Sequence, residues 1–584
     1  MLHTNHGKNY LITDHARDIL NDRYLYFKAD GEKENPQDMF ARLAKYYGDH
    51  STDHPQRMYN YMSDLWFIPS TPILSNGGTD RGLPISCFLN ECEDTLRSIT
   101  DMWLENVFLA SRGGGIGSYW GNLRSLGEKV HGNGKTSGII PFIKVQDSLT
   151  MAISQGSLRR GSTAVYLPID HPEIEEFISI RKPMGGDPER KCLQIHHGVC
   201  ISDAFMKAVE TDGEWNLISP KDKSVVKQVK ARTLWISLLT TRLETGEPYM
   251  IFTDTVKRNR PDIYKKLNLD VKMSNLCTEI TLTTGKDYNN KERTGVCCLG
   301  SLNLAKSSEW KGNSQFIEDV LLFLDNVLSD FIKKAPKEMA NAVYSATQER
   351  SIGLGVMGFH TLLQQCGIPF DSPMAKDFNL KFFKWLKKEC DQASKNIAKN
   401  KGSCPDAIKV GIEHERFVHK ISIAPTASIS IIGGNVSPGI DPFVANIYSH
   451  RTLSGTHIIK NKVLQKLLKA KNKDTDLVWQ QILNDNGSVK NLSFLSEIEK
   501  DTFKTAYEVN PWAIIEHAAD RTPFVCQAQS VNLFLPANIN KKDLNKLYFH
   551  AWKKGLKSLY YQRSQSIQRG DSIGEAPTGC LACE

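Results

Sequence analysis

Asn275-Leu276-Cys277-Thr278-Glu279 sets an amide, a thiol and a carboxylate at alternate positions of a short stretch. In an extended or tightly looped segment such side chains converge on one side, placing a thiol beside a hydrogen-bonding group and a proton acceptor. An ordinary loop gives the same string, and nothing local decides between the two. Cysteines also stand at 87, 92, 192, 200, 297, 298, 366, 390, 404, 526, 580 and 583, making thirteen in all. An odd number, with a polar start (MLHTNHGKNYLITDH) in place of an export signal, indicates thiols in a reducing compartment. Most read as small buried residues. Cys580 and Cys583 differ, because they lie in a polar stretch containing Gly and Pro. A C-x-x-C is half a zinc site, yet no second close pair is nearby and Cys297-Cys298 lacks ligand spacing. A dithiol that cycles through a disulfide fits better.

Pro425-Thr426-Ala427-Ser428-Ile429-Ser430 follows an apolar stretch with small hydroxyl residues. Their side chains, with free amides at a helix start, suit a phosphate, and a plain helix cap suits them equally. Thr71, between Ser70 and Pro72, offers a second phosphate contact with the same ambiguity. GGGIG at 113–117 matches G-x-G-x-x-G neither in spacing nor in a strand–turn–helix setting. GNGKTSG at 132–138 resembles the end of a phosphate-binding loop, but Lys129 stands where its first glycine belongs.

The elements that must position these groups follow from patterning. At 584 residues the chain exceeds what one core usually serves, so a large central domain with additions is expected. Its net charge of +8 mixes both signs throughout, with no concentrated aromatic and basic groove for nucleic acid. No apolar run reaches membrane-spanning length. Residues 1–68 read as a helical region, from Ile12, Ala16, Ile19 and Leu20 through Met39, Leu43 and Tyr46 to Met58, Met62 and Leu65. Phe67-Ile68-Pro69-Ser70-Thr71-Pro72 ends that pattern. From there to about residue 450 apolar runs alternate with helical stretches, giving a large α/β domain with function at strand ends, within a catalytic unit of 69–562 that includes helical insertions and a C-terminal subdomain. GIIPFIKVQDSL, STAVYLPI, LQIHHGVCIS and HKISIAPTASISII are expected strands or strand edges. Residues 455–500 read as a surface helical insertion, SVNLFLPAN as a strand, and DLNKLYFHAWKKGLKSLYY as a helix carrying both final tyrosines. Residues 563–584 read as a flexible redox tail.

In combination these stretches resemble ribonucleotide reductase large subunits of class I. NLCTEI is similar to the family's finger-loop motif, VCCLGSLNL at 296–304 to its second cysteine motif, and TPILSNGGTDRGLPISCFLNECEDTL to the segment holding its first redox cysteine. GGGIG, SQGSLRRG, SIGLGVMGFHTLL, APTASIS, QAQSVNLF and GLKSLYYQRS follow in the family's order, so the likeness runs from about residue 15 to the end. It implies a ten-stranded α/β barrel of two five-stranded parallel halves, running antiparallel to each other around a central finger loop. It also implies reduction of ribonucleoside diphosphates by thiyl-radical chemistry.

By the same resemblance Cys277 carries the thiyl, Glu279 is general base, Asn275 bonds substrate, and Cys87 with Cys297 forms the reducing pair. Cys298, where relatives often have asparagine, leaves that pairing open. Thr71, Ser86, Gly114, Pro425, Thr426, Ala427, Ser428 and Ile429 would bind substrate. Tyr560 and Tyr561 would carry the radical equivalent, and Cys580 with Cys583 would recharge the internal pair. Asp94, Thr95, Leu96 and Arg124 fall on effector-binding positions, for ATP or a deoxynucleoside triphosphate, while Gln155, Arg159 and Arg160 fall on the specificity loop. The tyrosine pair implies a radical-generating small subunit holding the metal, with no metal and no stably bound cofactor in this chain. Further implied partners are a second copy and a thioredoxin-like or glutaredoxin-like reductant, with no direct nucleic-acid or membrane contact. The expected location is the cytoplasm, that of the host if the source is viral. The chain starts too late for the N-terminal ATP-cone activity domain of many relatives, so specificity control without that switch is expected. Two alternatives stand beside this reading: a cobalamin-dependent reductase, and a catalytically silent nucleotide-binding subunit.

Overall fold

The computed structural model describes residues 2–564 except 29, 131, 133, 156–158, 453–454 and 537. Cys580 and Cys583 therefore lie outside the described residues, as does nearly all of the expected tail. Helices Asp14–Arg23, Pro36–Tyr47 and His54–Ser63 occupy the expected helical stretch. Thr13 caps the first, its hydroxyl accepting the Ala16 amide at 3.2 Å, and Asn35 with Asp38 forms a capping box on the second. Met39, Phe40, Leu43, Ala44 and Tyr47 recur at helical spacing and are buried together.

The central sheet has nine strands: β1 Phe67–Pro69, β2 Cys87–Glu91, β3 Gly115–Tyr119, β4 Ser162–Pro168, β5 His196–Ile201, β6 Tyr249–Phe252, β7 Gly295–Asn303, β8 Ile352–Met357 and β9 Ser558–Leu559. Strands β2, β3, β4, β5 and β6 are parallel neighbours in that order. At one end β2 pairs antiparallel with β7, which pairs in parallel with β8, and at the other β6 pairs antiparallel with β9. Strand β1 adds antiparallel to β7. Beyond β8, parallel bridges join Leu354 to Ile421 and Ile423 to Gln529. Backbone bonds then run from Tyr560 N to Val531 O at 2.9 Å and from Leu533 N to Tyr561 O at 3.0 Å.

Each inner strand is buried on both faces, and its alternation sorts side chains into two cores. Phe88, Val165, Met250 and Cys298 join the outer core with the surrounding helices. Cys87, Leu89, Tyr166, Tyr249, Ile251 and Cys297 join an inner core that also holds Leu276, Cys277 and Tyr560. A third, smaller core lies within residues 447–503, beneath helices Lys462–Ala470 and Asp476–Asn484, where the surface insertion was expected.

Three expectations need correcting. GIIPFIKVQDSL is not a strand but the start of helix Ile140–Ala152, whose Ile140 and Ile143 reach the core. A short apolar run fits both structures, and Pro141 in the first turn favours the helix. HKISIAPTASISII supplies only bridges at Ile421 and Ile423 before turning into helix Ala427–Ile432. The tyrosine pair is not helical: helix Lys541–Lys553 stops before Gly555, at φ +77°, and Tyr560-Tyr561 is extended between β9 and the strand Gln562–Ser564.

Candidate active site

Cys277 sits on a loop that enters the inner core between Ser274 and Ile280. The loop's neck is closed by Ser274 Oγ donating to Ile280 O at 2.6 Å and by Ile280 N donating to Asn275 Oδ1 at 3.2 Å. Tyr166, from β4, donates to the Asn275 carbonyl. Ala528 N, at 2.9 Å, and Ser422 Oγ, at 2.8 Å, donate to the Glu279 carbonyl, and Ser530 Oγ donates to that of Cys277 at 2.5 Å. Thr278 at the tip has φ +67°, a left-handed conformation that costs a β-branched residue energy and persists because so many bonds hold the loop. The glycines of GGGIG make room for it. A Cβ on Gly117 would lie 2.2 Å from Ser274 O and 2.9 Å from the Asn275 Cα, both backbone atoms.

Cys87 and Cys297 are direct partners across the β2–β7 antiparallel pair. Opposed residues in such a pair have Cα atoms about 4.5–5.5 Å apart, within the roughly 4.4–6.8 Å that a disulfide spans. Asn275 Nδ2 donates to Cys87 Sγ at 3.2 Å, and Cys87 Sγ lies 3.9 Å from Glu279 Oε1. Gln527 Nε2 donates to Cys297 Sγ at 3.2 Å and to Ile352 O at 3.1 Å. The pleat turns Cys298 into the outer core while Cys297 faces inward beside Cys87.

Burial drives the electrostatics. Glu279 is 1% exposed, and loss of solvation raises its carboxyl to about 7, against hydrogen bonds from Asn275, Ser530 and Cys87 that favour the anion. Burial likewise holds the Cys297 thiol far above its ordinary range, so it stays protonated. The site therefore contains a carboxyl poised near neutrality and a neutral thiol able to give up a proton.

Of the expected substrate contacts, Ser86 Oγ donates to Ser70 Oγ at 3.0 Å, and Thr71 Oγ1 meets Tyr24 OH at 3.0 Å. Gly114 lies against Phe88. Thr426 starts helix Ala427–Ile432, with φ +57°, and accepts the Gly439 amide at 2.6 Å. That helix packs against β1 and against helix Asp14–Arg23, which brings 425–429 to the side of the molecule holding Thr71. Tyr560 and Tyr561 have ring centroids 4.3 Å apart, and Tyr249 lies 4.9 and 5.2 Å from them.

The expected effector residues cluster at the surface. Asp94 and Arg124 are paired at 2.7 Å, Thr95 caps helix Leu96–Ser111, and Leu96 is 70% exposed. Gln155 bonds Asn76 Oδ1 at 3.0 Å and Arg81 O at 3.2 Å. The backbone of Arg159 pairs with that of Gln155, and the side chains of Arg159 and Arg160 fall outside the described residues. Sequence reasoning missed Tyr166, Ser422 and Ser530 as holders of the loop, and Gln527 as the partner of Cys297. Only QAQS, among the family-like motifs, signalled two of them. Among the described residues no group of three or more His, Cys, Asp or Glu is placed to hold a metal ion, and no helix is long and apolar enough to cross a membrane.

Two family descriptions account for most of the chain: "Ribonucleotide reductase, all-alpha domain" over residues 10–82, and "Ribonucleotide reductase, barrel domain" over 85–409 and 405–562. The chain belongs to the ribonucleotide reductase large-subunit family. It is 36% identical to the ribonucleoside-diphosphate reductase large subunit of Invertebrate iridescent virus 3, over 100% of both chains. It is 37% identical to the putative large subunit of Frog virus 3 (isolate Goorha), over 99% of both. Among solved structures, the class Id ribonucleotide reductase alpha subunit of Actinobacillus ureae matches with a TM-score of 0.82 and 34% identity, over 95% of this chain and 98% of that one. This reductase is thus an enzyme of the family whose motifs its sequence carries.

Proposed function

We propose that the chain reduces ribonucleoside diphosphates to 2′-deoxyribonucleoside diphosphates, with Cys277 as the radical-bearing thiol at the centre of a closed barrel. The observation that carries this reading is the meeting of Cys87, Cys297, Asn275 and Glu279 on and beside the Cys277 loop. Barrel closure is supported by the bonds continuing from β8 through 421–423 and 527–533 to 558–564, which would complete two parallel halves of five strands.

The 2′-hydroxyl is a poor leaving group on an unactivated carbon. A thiyl at Cys277 removes the 3′-hydrogen, and ionised Glu279 takes the 3′-OH proton. A neutral thiol of the Cys87–Cys297 pair protonates the departing 2′-oxygen, which leaves as water. The pair then supplies two electrons and its second hydrogen to the 2′ carbon, Glu279 returns the proton to the 3′ oxygen, Cys277 returns hydrogen to the 3′ carbon, and a Cys87–Cys297 disulfide remains. Asn275 holds Cys87 and bonds substrate; Thr71, Ser86, Gly114 and residues 425–429 seat the nucleotide and its phosphates.

Tyr560 and Tyr561 deliver the oxidising equivalent from a radical-generating, metal-holding small subunit. Cys580 and Cys583 exchange with the internal disulfide and are reduced in turn by a thioredoxin-like or glutaredoxin-like protein. Asp94, Thr95, Leu96 and Arg124 bind ATP or a deoxynucleoside triphosphate at a dimer contact, read out through Gln155, Arg159 and Arg160. The test mixes the chain with candidate small subunits, CDP, a dithiol and varied effectors, and measures dCDP. Product that disappears in Cys277→Ser, while nucleotide binding persists, supports the proposal. Product that depends on added cobalamin instead of a small subunit would overturn the class.

A further inference from the structure

Residues 526 and 527 form a bend between the short helix Thr522–Phe524 and the bridge at Gln529. Along an extended strand successive carbonyls face opposite ways. Here those of Val525, Cys526 and Gln527 converge on one atom, Nζ of Lys557, which donates to the first at 2.9 Å, to the second at 3.1 Å, and to the third. Lys557 is 5% exposed, and burial lowers its pKa to about 8, so the ammonium prevails at neutral pH. A buried charge is costly unless its donors are used, and three carbonyls use all three N–H groups. What the charge supplies is donors for backbone acceptors that lie in a bend instead of a ladder.

From this bend the chain reaches the candidate active site three times. Gln527 Nε2 donates to Cys297 Sγ at 3.2 Å, while its Oε1 accepts the Thr281 amide at 3.3 Å. Ala528 N then bonds the Glu279 carbonyl, and Ser530 Oγ that of Cys277. Lys557 itself opens the strand that carries Tyr560. Its carbonyl accepts the Phe252 amide of β6 at 2.9 Å, Ser558 Oγ donates to Gln529 O at 3.0 Å, and Tyr560 N donates to Val531 O. One side chain thus ties the segment that bonds Cys297 and the Cys277 loop to the segment that holds the tyrosines.

We infer that Lys557 is a positioning residue for turnover, its ammonium holding the bend from which Gln527, Ala528 and Ser530 fix Cys297 and the Cys277 loop. This rests on the roles proposed above for those cysteines. Lys557 bonds backbone carbonyls and acts only through the residues that the bend carries. Without the ammonium, three carbonyls lose their donor together, the bend relaxes, and the amide facing Cys297 moves with it. A displacement of about 1 Å at a reacting centre costs about 100-fold in rate.

The test uses the full chain with its small subunit, CDP, effector and dithiol, and measures dCDP. Lys557→Met keeps the length of the side chain and removes its donors. It should lower kcat by about 10- to 100-fold. The KM for CDP should stay within about twofold, because Thr71 and residues 425–429 take no hydrogen bond from Lys557. Gln527→Leu, made alone and together with Lys557→Met, shows whether the lysine acts through the bend. If it does, the loss in the double variant falls short of the product of the single losses by about tenfold or more. Should Lys557→Met not fold, Lys557→Gln, which keeps two N–H donors, takes its place in the same comparison. Undiminished kcat, a loss carried by KM, or losses that multiply in the double variant would each overturn the inference. A parent chain that makes no dCDP with any small subunit fails the function proposed above, whereas an active parent beside an equally active Lys557→Met removes only the positioning role.

Discussion

Replacing Glu279 with glutamine should have opposite effects on activity and stability. The carboxyl is raised from 4.5 to about 7 by burial. At about 1.4 kcal/mol per unit, ionising it inside the protein costs about 3 kcal/mol more than in the unfolded chain. The direction follows from where protons are bound. Below about 4.5 the group is neutral in both states and costs nothing. Between about 4.5 and 7 the unfolded chain releases its proton while the native protein keeps it, so stability falls as pH rises, and above 7 the full penalty is present. Activity runs the other way, because only the ionised form accepts a proton. One unit below 7 about a tenth of the molecules are competent, and one unit above about nine-tenths. The expected kcat/KM therefore climbs through about 7 and then levels. Glu279→Gln should reduce turnover to background at every pH, and should gain about 3 kcal/mol relative to the parent in urea unfolding between about pH 4.5 and pH 8. A kcat/KM that is flat across that range, or a variant retaining turnover, would refute the assignment of Glu279 as the base. A stability difference that does not change with pH would refute its burial as the cause.

Cys297→Ala should abolish multiple turnover, while Cys298→Ala, which alters only the outer core, should keep kcat within about twofold; product formation against free-thiol titration separates them. Gly117→Ala places a methyl against the backbone of Ser274 and Asn275. It should cost about 1–3 kcal/mol of stability, with a larger proportional loss of turnover, read from urea unfolding and dCDP formation. Tyr166→Phe removes the phenol that bonds the Asn275 carbonyl. It should cost about 1–3 kcal/mol, and a thermal melt unchanged from the parent would mean that the bond does not hold the loop.

The convergence of the loop's side chains was legible because they lie in one short, contiguous string, although their chemistry rested on the family resemblance. Asn275, Cys277 and Glu279 are neighbours in sequence, so their convergence needs only one loop. The Cys87–Cys297 pairing came from resemblance alone, since nothing in the sequence fixes the register of β2 on β7. Helix Ile140–Ala152 was misread because an apolar run of this length satisfies both a buried strand and a buried helix. The tyrosines were placed on a helix because the pattern of 541–553 continues in composition beyond the glycine that ends it. The loop's anchors, Tyr166, Ser422 and Ser530, come from three separate segments and act on backbone carbonyls. Such contacts leave little trace in residue type.

Those anchors bear on why the thiol proposed to carry the radical sits on a loop at all. On the proposed function the thiyl must meet the ribose beside the inner faces of the strands, whose side chains are already packed in the inner core. A loop can reach that centre, but a free loop would not hold a thiol, an amide and a carboxylate in one geometry. Here bonds from β4, from 422 and from 527–530 fix the loop backbone, and glycines in β3 let it approach closely. The left-handed Thr278 at its tip shows that the geometry is imposed from outside and is not the loop's own preference. Residues remote from substrate should therefore govern turnover as strongly as some that touch it. Variants of the anchors should lower kcat while leaving the approach of nucleotide, and so KM, nearly unchanged.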